Sequence, residues 1–199
     1  VENRDSDDKL ITLNAGLNPR EGKYHCTACN ACFAKYSIGQ AEQLKWKCLN
    51  CRGEIKRGVA DRIAMLSDTP AGVHPKFRPP YMHMLPLAEI IQVALGDKST
   101  NTKAVQSKWI NFVERLGNEI YVLVDAKESE LAEIDREIAS KVISFREGRV
   151  LYIPGGGGEY GKPIICDTQE ELERKKVELA RELSGVSEIA GQKTLGQFT

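Results

Sequence analysis

The stretch Cys26-Thr-Ala-Cys29-Asn-Ala-Cys32, followed by Cys48-Leu-Asn-Cys51, decides the fold of the first part of this chain. Fifteen residues separate the C-x-x-C pair that ends at Cys32 from the pair that begins at Cys48, and this spacing is typical of a four-cysteine structural zinc site. A redox motif needs one such pair, and a disulfide framework usually belongs to a shorter secreted chain. The spacing therefore predicts bound Zn²⁺.

The spacing leaves the first pair of ligands open, because Cys26 with Cys29 also gives an allowed arrangement. We favour four ligands: Cys29, Cys32, Cys48 and Cys51. Cys26 is the alternate ligand, and His25 is a reserve. Gly53, two residues after Cys51, suits a left-handed backbone position. Cys166 stands apart in sequence and is expected to be a half-buried apolar residue.

The overall composition excludes several classes of protein. The 199 residues have a formal net charge of zero and are 41% hydrophobic, which is enough for one or two small cores. We find no run of 18 apolar residues and no secretory leader, so we expect no membrane span. Unpaired thiols beside a metal site favour a reducing, cytoplasmic location.

Positive charge is concentrated around the cysteines. Between Arg20 and Arg62, nine Lys or Arg face four acidic residues, and four aromatic residues are interleaved with them. Cations that neutralise phosphates and rings that stack on bases are what a nucleic-acid surface needs. The alternative is that these charges only solvate a small domain.

Periodicity and turn signals predict a fold that is α+β and mainly helical, with a small zinc-ribbon-like module packed on a helical bundle. We expect a strand at residues 10–15, and residues 119–124 fit a strand or a turn of helix. Helices are predicted at residues 59–66, 86–95, 102–116, 129–146 and 168–184. The expected division is a linker at 1–19, a zinc module at 20–57, a helical DNA-binding domain at 58–165, and a charged helix with a tail at 166–199.

A run of four glycines follows a predicted strand at residues 150–153. Gly156-x4-Gly161-Lys162 is nearly a phosphate-binding P-loop, but Pro163 replaces the hydroxyl that would hold magnesium, and a strand follows instead of a helix. Nucleotide hydrolysis is therefore not expected. The glycines allow backbone to approach another domain or a phosphate backbone, or they form a structural turn. The four are Gly155, Gly156, Gly157 and Gly158.

The last eight residues contain Gln192-x-x-Leu195-x-x-Phe198. This pattern resembles the peptide that docks on DNA sliding clamps, in which the apolar residues fill a pocket and the glutamine hydrogen-bonds beside it. The second aromatic residue usual in that peptide is replaced by Thr199. We predict a sliding clamp as a partner.

Several motifs in order along the chain resemble the endonuclease Q family. They are Gly22-Lys-Tyr-His-Cys-Thr-Ala-Cys-Asn-Ala-Cys32, Ile55-Lys-Arg-Gly-Val-Ala-Asp-Arg62, His74-Pro-Lys-Phe-Arg-Pro-Pro-Tyr81, Leu85-Pro-Leu-Ala-Glu-Ile-Ile91, Phe145-Arg-Glu-Gly148 and Pro154-Gly-Gly-Gly-Gly-Glu-Tyr-Gly161. The resemblance supports Cys29 and Cys32 as the first ligand pair. It implies an enzyme that cuts DNA on the 5′ side of deaminated bases (uracil, hypoxanthine, xanthine) and of abasic sites.

The resemblance also implies a metal-dependent PHP nuclease barrel, followed by a zinc domain and a helical domain. The barrel needs many metal ligands and an early His-x-His, whereas this chain has three histidines and no such pattern. We therefore expect the chain to be the C-terminal, non-catalytic portion of such an enzyme. An independent active site around Asp61, His74 and His83 is the alternative, but these residues lack a nucleophile–base pairing.

The expected role of this portion is to hold DNA around a damaged base, which must leave the stack to be recognised. The candidates for backbone contact are Lys56, Arg57, Lys76, Arg78 and the four glycines. Phe77 or Tyr81 is expected to stack on a base or wedge beside it. Arg78 alternatively braces a proline-rich loop. The competing function is a zinc adaptor that binds only protein, for which no salt-dependent DNA affinity is expected.

Overall fold

The structure, a computed structural model, describes residues 14–68 and 76–185, with side chains up to residue 181. The chain divides into two compact units. The first unit combines residues up to 84 with residues 154–161, and the second combines residues 85–153 with residues from 162 onward. Each unit has its own core.

The first unit is built around short strands and turns. Strand β1 (Asn14–Gly16) pairs in parallel with β4 (Tyr81–His83), and β2 (Ala28–Cys29) pairs antiparallel with β3 (Ile55–Lys56). Helix α1 (Ile38–Gln43) begins at Ser37, which forms a reciprocal capping box with Gln40. The small core of this unit includes two of the predicted metal ligands, with the members Cys29, Ala41, Cys48 and Ile55.

Helix α2 (Val59–Leu66) follows β3 in the first unit and has no buried residue. Asp61 in this helix fixes its position, because the Asp61 carboxylate accepts a hydrogen bond of 2.6 Å from the Thr27 hydroxyl. Thr27 is fully buried and its hydroxyl oxygen also accepts from the Gly58 amide at 2.8 Å. The start of α2 is therefore held to the strand that carries the first metal ligand.

The second unit is mainly helical. Its helices are α3 (Leu87–Leu95), α4 (Lys103–Leu116), α5 (Glu119–Val124), α6 (Glu128–Ala132), α7 (Arg136–Arg146) and α8 (Gln169–Gly185). Strands β5 (Val150–Ile153) and β6 (Lys162–Ile165) form an antiparallel hairpin. Thr102 caps α4 and Asn118 caps α5 through their side chains, which satisfies amides that have no partner within the helix.

An apolar core holds the helices of the second unit together. Its fully buried side chains include Leu85, Leu87, Ile90, Ile91, Val105, Phe112, Val122, Leu131, Ile138 and Val142. Arg146 ties α7 to the end of α5, because its guanidinium donates to the carbonyls of Val122, Leu123 and Ala126. Cys166 is fully buried, so the expectation of half burial was wrong.

The predicted fold class, α+β and mainly helical with a four-cysteine module, is confirmed. The single helix predicted at residues 129–146 is wrong, because α6 and α7 are separate. Asp135 takes an extended conformation between them, and its carboxylate accepts from the amides of Glu137 and Ile138, so a new helix begins there. Residues 119–124 are helical, and β1 is described only from Asn14. Within the described ranges, no helix is long and apolar enough to cross a membrane.

Candidate metal centre and nucleic-acid interface

Four cysteine sulfurs converge in the first unit. The Sγ atoms of Cys29, Cys32, Cys48 and Cys51 all lie within 4.8 Å of one another. The Cys29–Cys51 and Cys32–Cys48 sulfur pairs are each 3.5 Å apart. A tetrahedral ion with Zn–S bonds of about 2.3 Å would place sulfurs about 3.8 Å apart. The arrangement can therefore hold a metal ion of that size with small adjustments.

The turns that carry the ligands are packed closely. Cys29 and Cys48 are buried in the core, whereas Cys32 and Cys51 are exposed. A Cβ atom at Gly53 would lie 3.0 Å from the Cys29 sulfur and 3.1 Å from the Cys51 sulfur, so glycine is needed for space. The left-handed backbone expected at Gly53 is instead found at Arg52, whose φ is +63°.

Hydrogen bonds favour thiolate ligands in the buried half of the site. Burial raises the pKa of Cys48, but hydrogen bonds from the Tyr36 hydroxyl and from backbone amides outweigh it and lower the pKa to about 6. The hydroxyl lies 3.0 Å from the Cys48 sulfur. Since metals bind the thiolate, these donors prepare the site for a cation.

Cys26, the alternate ligand, is not part of the four-sulfur group. Its amide donates to the Gly155 carbonyl at 2.9 Å, and burial raises the pKa of its thiol. The geometry therefore favours the set that begins with Cys29.

The glycine run packs on the backbone beside the metal site. The amide of Gly155 donates to the Arg20 carbonyl and that of Gly158 to the Lys23 carbonyl. A Cβ atom at Gly157, whose φ is +67°, would lie 2.1 Å from the Cys29 carbonyl oxygen. The close partner of the glycines is therefore this unit's own chain. Gly155, Gly156 and Gly157 are buried, so a DNA contact stays a prediction for Gly158, which is partly exposed.

Two of the predicted DNA-contact residues, Lys56 and Arg57, are exposed beside the metal site. Lys56 forms an ion pair of 2.7 Å with Glu54. The Arg57 guanidinium lies 5.0 Å from the centre of the Trp46 ring, a cation–π arrangement that holds the charge in place. Both side chains therefore have local partners and remain reachable from solvent.

The other predicted contact residues lie near β4 of the first unit. Lys76, Arg78, Phe77 and Tyr81 are all exposed, and the Phe77 side chain is 74% exposed. The Tyr81 ring meets the His83 ring edge-on with 5.0 Å between centres. These residues form an exposed segment with two cations and two aromatic rings. His74 and the tail residues Gln192, Leu195 and Phe198 lie outside the described residues.

Sequence reasoning missed an apolar cavity of about 370 Å³ beside α2. Its lining includes Tyr24, Val59, Ile63 and Tyr160. The Lys23 ammonium lies 5.7 Å from the Tyr24 ring centre and 5.4 Å from that of Tyr160. The pairing joins residues more than a hundred positions apart, so local sequence patterns gave no sign of it.

Comparison with known proteins identifies one family match and two relatives. Residues 86–149 match the family described as the MJ0043 C-terminal domain. The uncharacterized protein MJ0043 of Methanocaldococcus jannaschii is 46% identical over 86% of this chain, and the uncharacterized protein YqxK of Bacillus subtilis is 34% identical over 78%. The chain spans 22% and 36% of these two relatives.

Two solved structures are similar to the chain in both fold and sequence. The lesion-specific endonuclease PfuEndoQ of Pyrococcus furiosus has a TM-score of 0.71 and 43% identity, covering 87% of this chain and 42% of its own. The second is an endonuclease Q complex with a 27-mer duplex substrate that carries an abasic lesion at the active site. It has a TM-score of 0.72 and 44% identity, and the match covers 82% of this chain and 40% of that one. Over the part that it shares with these structures, the chain is similar to endonuclease Q in sequence and in fold.

Proposed function

We propose that this chain is the DNA-binding portion of a repair endonuclease that incises on the 5′ side of deaminated bases such as uracil, hypoxanthine and xanthine. The observation that carries the proposal is the 44% identity, over 82% of this chain, to an endonuclease Q bound to a damaged duplex. At that identity the surface used by the relative is expected to be substantially retained.

A structural zinc ion is part of this proposal. Cys29, Cys32, Cys48 and Cys51 would hold it, and a closed set of four thiolates leaves no position for substrate. The ion would cross-link two turns beside a small cluster whose other buried residues are Ala41 and Ile55. Its role is therefore to fix the surface around it, while the protein side chains make the DNA contacts.

The exposed segment around β4 supplies the chemistry for gripping DNA. Lys76 and Arg78 can each neutralise a phosphate and release a counterion. Phe77 and Tyr81 present rings that can stack on an unpaired base or wedge beside one. Lys56 and Arg57 add two further cations in the same unit.

The test is fluorescence anisotropy of labelled duplexes, undamaged or with a single deoxyinosine, at two salt concentrations. We expect salt-sensitive binding, and a Lys76→Ala/Arg78→Ala variant should weaken it and reduce the salt slope by about two. Lys176→Ala on α8 is the matched control, because that lysine is exposed and already paired with Glu173. No binding at either salt would refute the proposal and favour a protein-binding adaptor.

We propose that incision is carried out by elements other than these residues. Within residues 14–68 and 76–181, one group of His, Cys, Asp or Glu side chains is arranged to hold a metal, and it is the four-cysteine set. Cleavage of a deoxyinosine duplex by the purified chain with Mg²⁺ or Mn²⁺, lost in an Asp61→Asn/His83→Ala variant, would contradict this.

The C-terminal motif supports a separate proposal, binding to a sliding clamp, which rests on Gln192, Leu195 and Phe198 in the sequence. Calorimetric titration of a clamp ring with the full chain would test it. We expect binding that is abolished by Leu195→Ala/Phe198→Ala and retained by Lys193→Ala, because the motif depends on its apolar anchors. Equal binding by both variants would refute it.

A further inference from the structure

The two metal-binding turns share an unusual feature at equivalent positions. Phe33 directly follows Cys32 and Arg52 directly follows Cys51, and their φ angles are +60° and +63°. This left-handed region favours glycine, and it is uncommon for residues with large side chains. Both turns therefore carry a bulky residue where glycine would be adopted with less strain.

Packing offsets such strain at one other position of the unit, although not at Lys45, which is exposed and has a φ of +49°. Trp46 also has a positive φ, of +59°, but its ring is partly buried against the metal-site core and is covered by Arg57. In contrast, Phe33 and Arg52 are exposed, and the Phe33 side chain is 41% accessible. Burial of the Trp46 ring therefore offsets the strain of its left-handed backbone, whereas Phe33 and Arg52 gain much less from burial.

The two residues lie on the exposed side of the centre. Cys32 and Cys51 are its exposed ligands, and their sulfurs belong to the group within 4.8 Å. Leu49, in the second turn, is 55% exposed. We call Phe33, Leu49 and Arg52 the knuckle tip.

The charge around the knuckle tip suits an anionic partner. Between Cys29 and Gly58 there are six Lys or Arg and two Glu. One of the two acids, Glu54, is already paired with Lys56 at 2.7 Å. The excess of cations exceeds the two net negative charges that four thiolates and one Zn²⁺ would contribute, so the module stays cationic.

We propose that the knuckle tip is a nucleic-acid contact site, in which Phe33 stacks on an unpaired base and Arg52 binds an adjacent phosphate. This deepens the proposed DNA-binding function and depends on it. A ring face accepts any base without sequence preference, and a guanidinium forms two parallel hydrogen bonds to a phosphate. Strained residues that persist on a surface are often retained for function.

The test uses glycine substitution, because a functional residue and a structural one respond in opposite ways. In the zinc-loaded full chain, Phe33→Gly relieves the left-handed strain, so the melting temperature should be unchanged or higher. Affinity for a labelled single strand should fall about 5- to 100-fold with the loss of stacking. Arg52→Gly should likewise preserve stability and reduce the salt slope by about one.

Matched variants separate the ring from the strain. Phe33→Tyr keeps a ring and should retain affinity, whereas Phe33→Leu keeps bulk without a ring and should lose affinity as the glycine variant does. Undiminished binding by Phe33→Gly would overturn the inference and leave the proposed function standing, as would a Phe33→Gly protein that loses its zinc or its fold. Failure of the unsubstituted chain to bind any DNA would instead remove the proposed function itself.

Discussion

The two units of this protein are held together by different means. The metal-site cluster of the first unit contains four buried residues, two of which are cysteines of the metal group. The second unit buries branched and aromatic side chains from six helices, with Phe112, Ile90 and Leu131 among them. Since apolar burial stabilises in proportion to area, we expect the second unit to fold by burial and the first to depend on metal ligation.

Metal removal should break this comparison most strongly. Binding of structural Zn²⁺ contributes on the order of 10 kcal/mol to small four-ligand sites, and that free energy is also folding free energy. We expect chelation to remove amide hydrogen-exchange protection from residues 26–56 and to leave helices α3 to α7 protected. Uniform loss of protection in both units would show that the second unit is not independently stable. Zinc-saturated chelator, which cannot remove the ion, is the control for non-specific effects.

A cavity in the second unit should have the next largest effect. Phe112 is fully buried in α4, so Phe112→Ala should lower the free energy of unfolding by about 3–5 kcal/mol. Urea unfolding followed by helical circular dichroism measures this change. Zinc content should remain that of the unsubstituted protein.

The matched control is Ile110→Ala on the same helix, because Ile110 is 46% exposed. Ile110→Ala should lower the free energy of unfolding by less than about 1 kcal/mol, the usual range for surface substitutions. Similar losses for the two variants would mean that Phe112 does not belong to a close-packed core.

Backbone proximity distinguishes two glycines with the same left-handed conformation. Gly157 in the first unit has a φ of +67° and would place a Cβ 2.1 Å from the Cys29 carbonyl oxygen, while Gly96 in the second has a φ of +63° and open space around it. Gly96→Ala should lower the free energy of unfolding by about 1 kcal/mol, because alanine is strained in the left-handed conformation. Gly157→Ala should cost roughly 1–3 kcal/mol more, because the neighbouring backbone must shift.

Thermal unfolding and zinc content together check this pair. We expect only Gly157→Ala to weaken zinc retention during titration with a chelator, since Cys29 is a member of the metal group. Equal melting temperatures for the two variants would contradict the close approach.

The smallest effect concerns the ion pair between α4 and the start of α7. Lys108 lies 2.6 Å from Asp135. Burial raises the pKa of Asp135, but Lys108 and the Ile138 amide outweigh it, so the pKa is lowered overall. A depressed carboxyl pKa stabilises the fold above the unfolded value of about 3.9, and the contribution is lost as pH falls through the folded pKa.

Asp135→Asn should therefore be less stable than the unsubstituted chain by about 1 kcal/mol at neutral pH. The difference should begin to shrink as pH falls below the unfolded pKa of about 3.9, and it should be lost below the lowered folded pKa of Asp135, where both forms are uncharged at this position. Urea unfolding at several pH values measures it. A difference that does not change with pH would assign the effect to capping geometry rather than to charge.

Helix boundaries were predicted best where local chemistry sets them. Helix α2 spans the predicted residues 59–66, and α3 and α4 end before Gly96 and Gly117 as expected, because both glycines have positive φ angles that terminate a helix. The break between α6 and α7 was missed, since the apolar spacing continues through it. Asp135 at that point is a capping residue, and this was the available signal.

The candidate site was foreseen in its ligands but not in its surroundings. The cysteine spacing indicated a four-cysteine site and left Cys26 as an alternate ligand, and the fold brings the sulfurs of Cys29, Cys32, Cys48 and Cys51 within 4.8 Å of one another. The packing of the glycine run on the Cys26–Cys29 segment joins residues about 130 positions apart. Sequence patterns of turn and helix extend over only a few residues, so they carry no information on such a contact.

The sequence by itself indicated a four-cysteine metal site, most helix ends and the relation to endonuclease Q, because each depends on residues close together in the chain or on motifs in order. Only the tertiary structure decided which glycines are buried, that Lys23 lies between the Tyr24 and Tyr160 rings, and that Phe33 and Arg52 are exposed at strained positions. Burial and backbone conformation at these residues are set by contacts with distant parts of the chain, and such contacts exist only after folding.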